Sequence, residues 1–221
     1  MGEQRIGVVV ACGRWPSIGT VRRLIDRADL VIACDGALTL CEDNGIHVDV
    51  VVGDMDSVEQ HRLDAYLERG GTQIKRPDQH TNDLAKALVY LEERGLEACT
   101  VLGATGGDRQ HEWANLLSCA ASSLEITCVG TAHRYEFLKT GKKYAIELVP
   151  EEEFSLFALP AAFNIQLKGA AFPLDDATLE MGSRGLHNAA VQDTVEISFS
   201  EGRLMLMRPH PSEPVEGRNE A

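Results

Sequence analysis

Along the first 130 residues, short runs of apolar and β-branched residues alternate with longer segments whose apolar positions recur every three or four residues. The runs at 6–11, 30–34, 48–52, 73–75, 98–102 and 125–129 predict strands. The segments at 17–27, 37–44, 58–69, 82–94 and 112–122 predict helices. In 82–94, Leu84, Ala87, Leu88 and Leu91 fall on one face at helical spacing. The strands are apolar throughout rather than alternating, which is the pattern of a sheet covered on both faces. With helices between them, such strands run parallel.

The pattern changes after about Tyr135. No long helical periodicity follows. The runs 144–149, 154–158, 165–168, 195–200 and 203–207 predict strands separated by Gly, Pro and acidic turns, and Ser200-Glu201-Gly202 predicts a hairpin joining the last two. The expected fold is α/β: a parallel-sheet, Rossmann-like domain over 1–135, then a small antiparallel β domain over 136–210. The tail 211–221, PSEPVEGRNEA, is rich in Pro and charge, and disorder is expected there.

Composition narrows the function. Of 221 residues, 44% are hydrophobic and 25% charged, so a packed core is expected. The net charge of −13 argues against a nucleic-acid surface, which needs clustered Lys and Arg. An anionic ligand would need a metal or a few placed cations. No apolar run approaches the roughly 18 residues that cross a bilayer, and the start, MGEQRIGVVVACGRWP, lacks signal-peptide architecture. The six cysteines form no CxxC pair. Four of them (Cys12, Cys34, Cys99 and Cys128) sit in apolar runs, and the set reads as reduced core residues of a cytoplasmic protein without a zinc site.

In a parallel α/β sheet, ligands bind beyond the carboxyl ends of the strands. The residues after four of the predicted strands carry chemistry. Asp35-Gly36 follows 30–34, Gly53-Asp54-Met55-Asp56-Ser57 follows 48–52, Arg76 to Asp83 follows 73–75, and Gly103 to His111 follows 98–102. Asp54, Asp56 and Asp83 make a hard-oxygen set suited to Mg2+, with Asp35 on the same edge. The competing reading is that Asp54 caps a helix and Asp56 is solvated. Gly106 and Gly107 lie in a turn whose N–H groups can cradle phosphate, or which is a plain tight connection. Arg109 and Lys86 can pair with phosphate or stay solvated. His111 is a polar contact or proton shuttle. Trp113, near Leu116 and Leu117, reads as core, and Trp15 as a candidate for stacking on a ring.

Taken together, Gly53-Asp54-Met55-Asp56-Ser57, then Pro77-Asp78-Gln79 with Asn82-Asp83 and Lys86-Ala87-Leu88, then Gly103-Ala104-Thr105-Gly106-Gly107 with His111 and Ala114-Asn115-Leu116, resemble thiamine pyrophosphokinase in order and spacing. Gly185-Leu186-His187-Asn188 is similar to that family's Ser-Asn motif. The resemblance implies an N-terminal α/β domain, a C-terminal β-sandwich that takes part in thiamine binding, and a homodimer with the thiamine site at the subunit interface. It implies Mg2+-dependent transfer of pyrophosphate from ATP to the hydroxyl of thiamine, giving thiamine diphosphate and AMP. By the same resemblance Asp54, Asp56 and Asp83 would hold Mg2+, Gln79 would lie near thiamine, Asp35 would sit at the substrate edge, and Asn188 would be a thiamine contact. Gln110 and His187 depart from the family pattern. They motivate two alternatives: a different hydroxyalkyl heterocycle, such as a pterin, as acceptor, or a protein that binds thiamine or its phosphate without catalysis.

Overall fold

The computed structural model describes residues 5–210, which divide into two compact units, 5–132 with His210, and 133–209. In the first unit the elements follow one another as β1 (Ile6–Val10), α1 (Ile18–Ile25), β2 (Leu30–Cys34), α2 (Ala37–Asp43), β3 (Val50–Gly53), α3 (Gln60–Glu68), β4 (Thr72–Lys75), α4 (Asp83–Glu93), β5 (Ala98–Leu102), α5 (Arg109–Ala121) and β6 (Glu125–Val129). The sheet order is β4-β3-β2-β1-β5-β6, and every neighbouring pair is parallel. The expected α/β class is therefore met, with a parallel sheet followed by antiparallel strands.

Side chains set the helix starts. Ser17 accepts a bond from the Thr20 N–H at the start of α1, and Asn82 accepts one from Ala85 N–H at the start of α4. Asp108 accepts from the Gln110 and His111 N–H groups. That cap starts α5 at Arg109, three residues before the expected position. A lone 11-residue helix is marginal in water. On α4, fully buried Leu84, Leu88 and Leu91 supply about 1.5–3 kcal/mol each by leaving water. The same face packs against β1, β2 and β3.

Two expectations about side chains are corrected. Trp113 is 66% exposed and Leu117 54% exposed. The face of α5 turned inward carries Asn115 and Cys119, and Trp113 and Leu117 lie off that stripe. Five cysteines are buried, but Cys12 is exposed, because β1 ends at Val10 and Cys12 stands in the connection beyond it.

The second unit is antiparallel, as expected. Its strands are β7 (His133–Leu138), β8 (Lys143–Glu147), β9 (Glu153–Lys168), β10 (Leu174–Glu180), β11 (Asn188–Ala189), β12 (Thr194–Ser198) and β13 (Glu201–Pro209). The order is β7-β13-β9-β12-β8, with β10 and β11 also on β9. Phe154, Ile165, Leu167, Val195, Ile197, Leu204 and Leu206 form its core.

The runs 154–158 and 165–168 prove to be two ends of one strand, β9, which continues through Pro160. Strand β10 was not expected, since only Leu179 of it is buried and three of its seven positions carry acids. The expected hairpin at Ser200-Glu201-Gly202 does not form. Strand β9 lies between β12 and β13, pairing with β12 through Gln166–Lys168 and with β13 through Ser155–Phe163. The tail 211–221 lies outside the described residues. Among the described residues, no helix is long and apolar enough to cross a membrane.

Candidate active site

Strand order reverses direction at β1: strands β2 to β4 lie on one side of it and β5 and β6 on the other. The cleft at such a switch point opens beyond the carboxyl ends of β1 and β5. There the structure has a cavity of about 500 Å3, walled by Cys12 and Gly13 after β1, Asp35 after β2, Asp54 and Asp56 after β3, Gln79, Asp83 and Lys86 around the start of α4, and Gly103, Gly107, His111 and Asn115 after β5.

Asp35 organises one wall. It is almost fully buried, and its carboxylate accepts the N–H of Gly36 at 2.6 Å and of Met55 at 2.9 Å. The second bond fixes the turn after β3, in which Met55 has a φ of 69°. Gly53 is required just before it: a Cβ there would stand 2.8 Å from the Asp35 Cγ. Burial, and then the nearby Asp83, raise the Asp35 carboxyl above its ordinary value.

Asp35, Asp54 and Asp83 can each offer an oxygen, with all three within 4.8 Å of one another. Asp56 belongs to the same cavity wall but stands outside this cluster and accepts the Ser57 hydroxyl at 2.9 Å. The clustered set thus contains Asp35 where the sequence suggested Asp56, because Met55 turns the chain between Asp54 and Asp56. Lys86 closes the cluster. Its Nζ donates to Asp83 at 2.9 Å and lies 3.7 Å from Asp54. Burial opposes its charge, but Asp83 and Asp54 outweigh that and raise its pKa. Gln79 donates to the same Asp54 oxygen, Oδ2, at 2.8 Å. Burial raises the Asp54 carboxyl, but the Asp56 N–H, Gln79 and Lys86 together hold it below its ordinary value.

The opposite wall is the glycine turn after β5. Gly103 has a φ of 68°, and its Cα packs so close to Ala11 that a Cβ would meet the Ala11 carbonyl oxygen at 2.2 Å. Backbone bonds from Gly13 to Gly103 and from Arg14 to Thr105 stitch the two connections together. Gly107 and His111 line the cavity. The Gly106 N–H is donated to Glu112 at 3.0 Å, and Arg109, the first residue of α5, is exposed and off the cavity wall.

Asn188 belongs to the second unit. Its side chain accepts from the Phe172 and Ala189 N–H groups and donates to the Phe172 carbonyl, so it braces a loop there. Trp15 donates to the Ala11 carbonyl and does not line the cavity.

Cys12, Gly13 and Asn115 were not foreseen. The strand-end rule, applied to β1, would have found the first two. Asn115 stood in the sequence only as part of the motif after His111 and was given no role, yet it joins the walls: its amide accepts from Asn82 and donates to the Ala104 carbonyl, both at 2.9 Å. Asn115→Leu leaves both partners unpaired in a buried site. We expect a loss of about 1–3 kcal/mol, read as a shift in the denaturant midpoint; no shift would remove Asn115 from this bracing role.

A larger cavity, about 770 Å3, lies beside the residues that precede β3 and β4. Its Arg62 and Arg69 are already paired with Asp43 and Glu42. Both of its arginines are therefore already engaged and not free to take an anionic ligand.

Comparison with known proteins agrees with this geometry. Residues 21–128 match the family model described as thiamin pyrophosphokinase, catalytic domain. Thiamine pyrophosphokinase 1 of Arabidopsis thaliana is 35% identical over 106 residues, covering 44% of this chain and 39% of that protein. The match thus spans about two-fifths of the relative's length. The fold is that of the thiamin pyrophosphokinase structures from Candida albicans (TM-score 0.77, 15% identity, 94% of this chain and 90% of that one) and Bacillus subtilis (0.74, 19%, 92% and 98%).

Proposed function

We propose, from a chain whose residues 21–128 match the family model described as thiamin pyrophosphokinase, catalytic domain, that this protein transfers the pyrophosphoryl group of ATP to the hydroxyl of thiamine. The observation that carries the reading is the carboxylate cluster of Asp35, Asp54 and Asp83 beside buried Lys86, at the carboxyl edge of the sheet. The donor set fits Mg2+: hard, anionic oxygens, few enough to leave positions for water and phosphate. Asp54 and Asp83 would hold the ion, with Asp35 or Asp56 as a third partner. When bound, Mg2+ neutralises charge on the triphosphate.

The chain's own groups do the rest. Lys86 reaches a phosphate as a point charge, Gly107 brings backbone close to it, and His111 offers a polar contact. The thiamine hydroxyl bonds to the β-phosphorus, the bond from that phosphorus to the bridging oxygen breaks, and AMP leaves. The hydroxyl proton passes to a carboxylate or to water. Positioning and charge neutralisation account for such a transfer. The acidic wall also suits the cationic thiazolium ring of thiamine. A homodimer, a sandwich arrangement of the second unit with a role in holding thiamine, and a cytoplasmic location belong to the same proposal.

The test is AMP release from ATP and Mg2+ with and without thiamine. Thiamine-dependent AMP supports the reading. AMP formed only with a pterin or another hydroxyalkyl heterocycle would move the activity to that acceptor. Thiamine binding without AMP would make the protein a binding protein.

A further inference from the structure

We propose that Lys86 is the resident counter-cation of the carboxylate cluster and holds a divalent ion out until a nucleotide draws the ammonium away. The inference rests on the reading of the cluster as a metal site. The Lys86 side chain is 4% exposed. Its Nζ is 2.9 Å from an Asp83 oxygen and 3.7 Å from an Asp54 oxygen, two of the three carboxylates that could hold an ion. The groups facing it are therefore Asp83 on its own helix, Asp54 beyond β3 and, in the same cluster, Asp35 beyond β2. Gln79 donates to the same Asp54 oxygen that Lys86 approaches.

An ammonium and a divalent ion cannot share these oxygens without strong repulsion at such distances. An ammonium is also no metal ligand, having no lone pair. Without nucleotide, the cluster is thus partly neutralised from within, which lets three acids stand together in a partly buried place. Triphosphate oxygens offer the ammonium new partners. Its flexible four-carbon stem allows it to leave Asp83 for a phosphate, freeing the carboxylate oxygens for the ion that arrives with the nucleotide. Metal and nucleotide binding are then coupled through one side chain, each strengthening the other.

The experiment measures Mn2+ binding to the full-length protein by the loss of the free-ion magnetic resonance signal, with and without a non-hydrolysable ATP analogue. Lys86→Met is expected to bind Mn2+ at least about tenfold more tightly than wild type without nucleotide, and to lose most of the strengthening that the analogue gives wild type. Lys86→Arg keeps the charge and is expected to show no tightening. Should Lys86→Met fail to fold, Lys86→Gln carries the same expectation. Equal or weaker Mn2+ binding by a folded neutral variant, with wild type binding Mn2+ normally, overturns this inference alone. Absence of Mn2+ binding in every protein, with or without the analogue, overturns the metal reading and this inference with it.

Discussion

Asp54→Asn is expected to lower thiamine-dependent AMP release by about 10²–10³-fold while leaving the protein folded. Asp54 is one of three carboxylates whose oxygens lie within 4.8 Å of one another, and in the proposed reaction its charge would hold the ion that neutralises the triphosphate. The substitution keeps the shape of the side chain and one oxygen for the Asp56 N–H. Lys86 keeps its shorter bond, to Asp83 at 2.9 Å, so no buried charge is orphaned. Asp83→Asn removes the negative charge that pairs with buried Lys86 and so confounds stability with catalysis, which makes Asp54 the cleaner position. A variant with unchanged denaturant midpoint and activity within a few-fold of wild type would remove Asp54 from the site.

Gly103→Ala is expected to destabilise the first unit by about 2–4 kcal/mol. Two costs add at this position. The φ of 68° is strained for any residue with a side chain, and the new methyl would meet the Ala11 carbonyl oxygen at 2.2 Å. That contact is backbone, held by the bond from Ala11 N–H to Leu102 at 2.8 Å, so it cannot swing aside as a side-chain end would. Both tryptophans, Trp15 and Trp113, belong to the first unit, so fluorescence during denaturation reports on that unit. A midpoint shift worth less than about 1 kcal/mol would mean that the two connections separate at little cost.

Local pattern carried far in this protein. Apolar strands and amphipathic helices in alternation marked all six parallel strands and five helices of the first unit: β1, β2, β3, β5 and β6 are largely buried and read as apolar runs, while the edge strand β4, with no buried residue, is marked by its place between two helices. The same pattern located the site, since every chemically active turn follows a strand and all strands of a parallel sheet present their carboxyl ends to one edge. The second unit was less legible. Antiparallel strands depend on partners distant in sequence, and β9 reads as two strands because Pro160 interrupts a run whose pairing continues on both sides of it. The hairpin expected at Ser200-Glu201-Gly202 looked local, yet β9 takes the place between the two strands.

The sequence by itself determined the parallel sheet, the edge that carries the candidate site and the supply of carboxylates, glycines and one lysine there. Only the tertiary structure decided which of these meet. Asp35 joins Asp54 and Asp83 because β2 and β3 are neighbours in register and the buried Asp35 carboxylate captures the Met55 N–H. Lys86 lies on the cluster rather than in solvent because Asn82 caps α4, setting Asp83 and Lys86 one turn apart on the inner face. Arg109 points away because Asp108 takes the cap of α5. In each case the deciding force is a side-chain oxygen that captures backbone N–H groups, from Asp35, Asn82 and Asp108 in turn, and where that leaves the neighbouring side chains is fixed by distances in space.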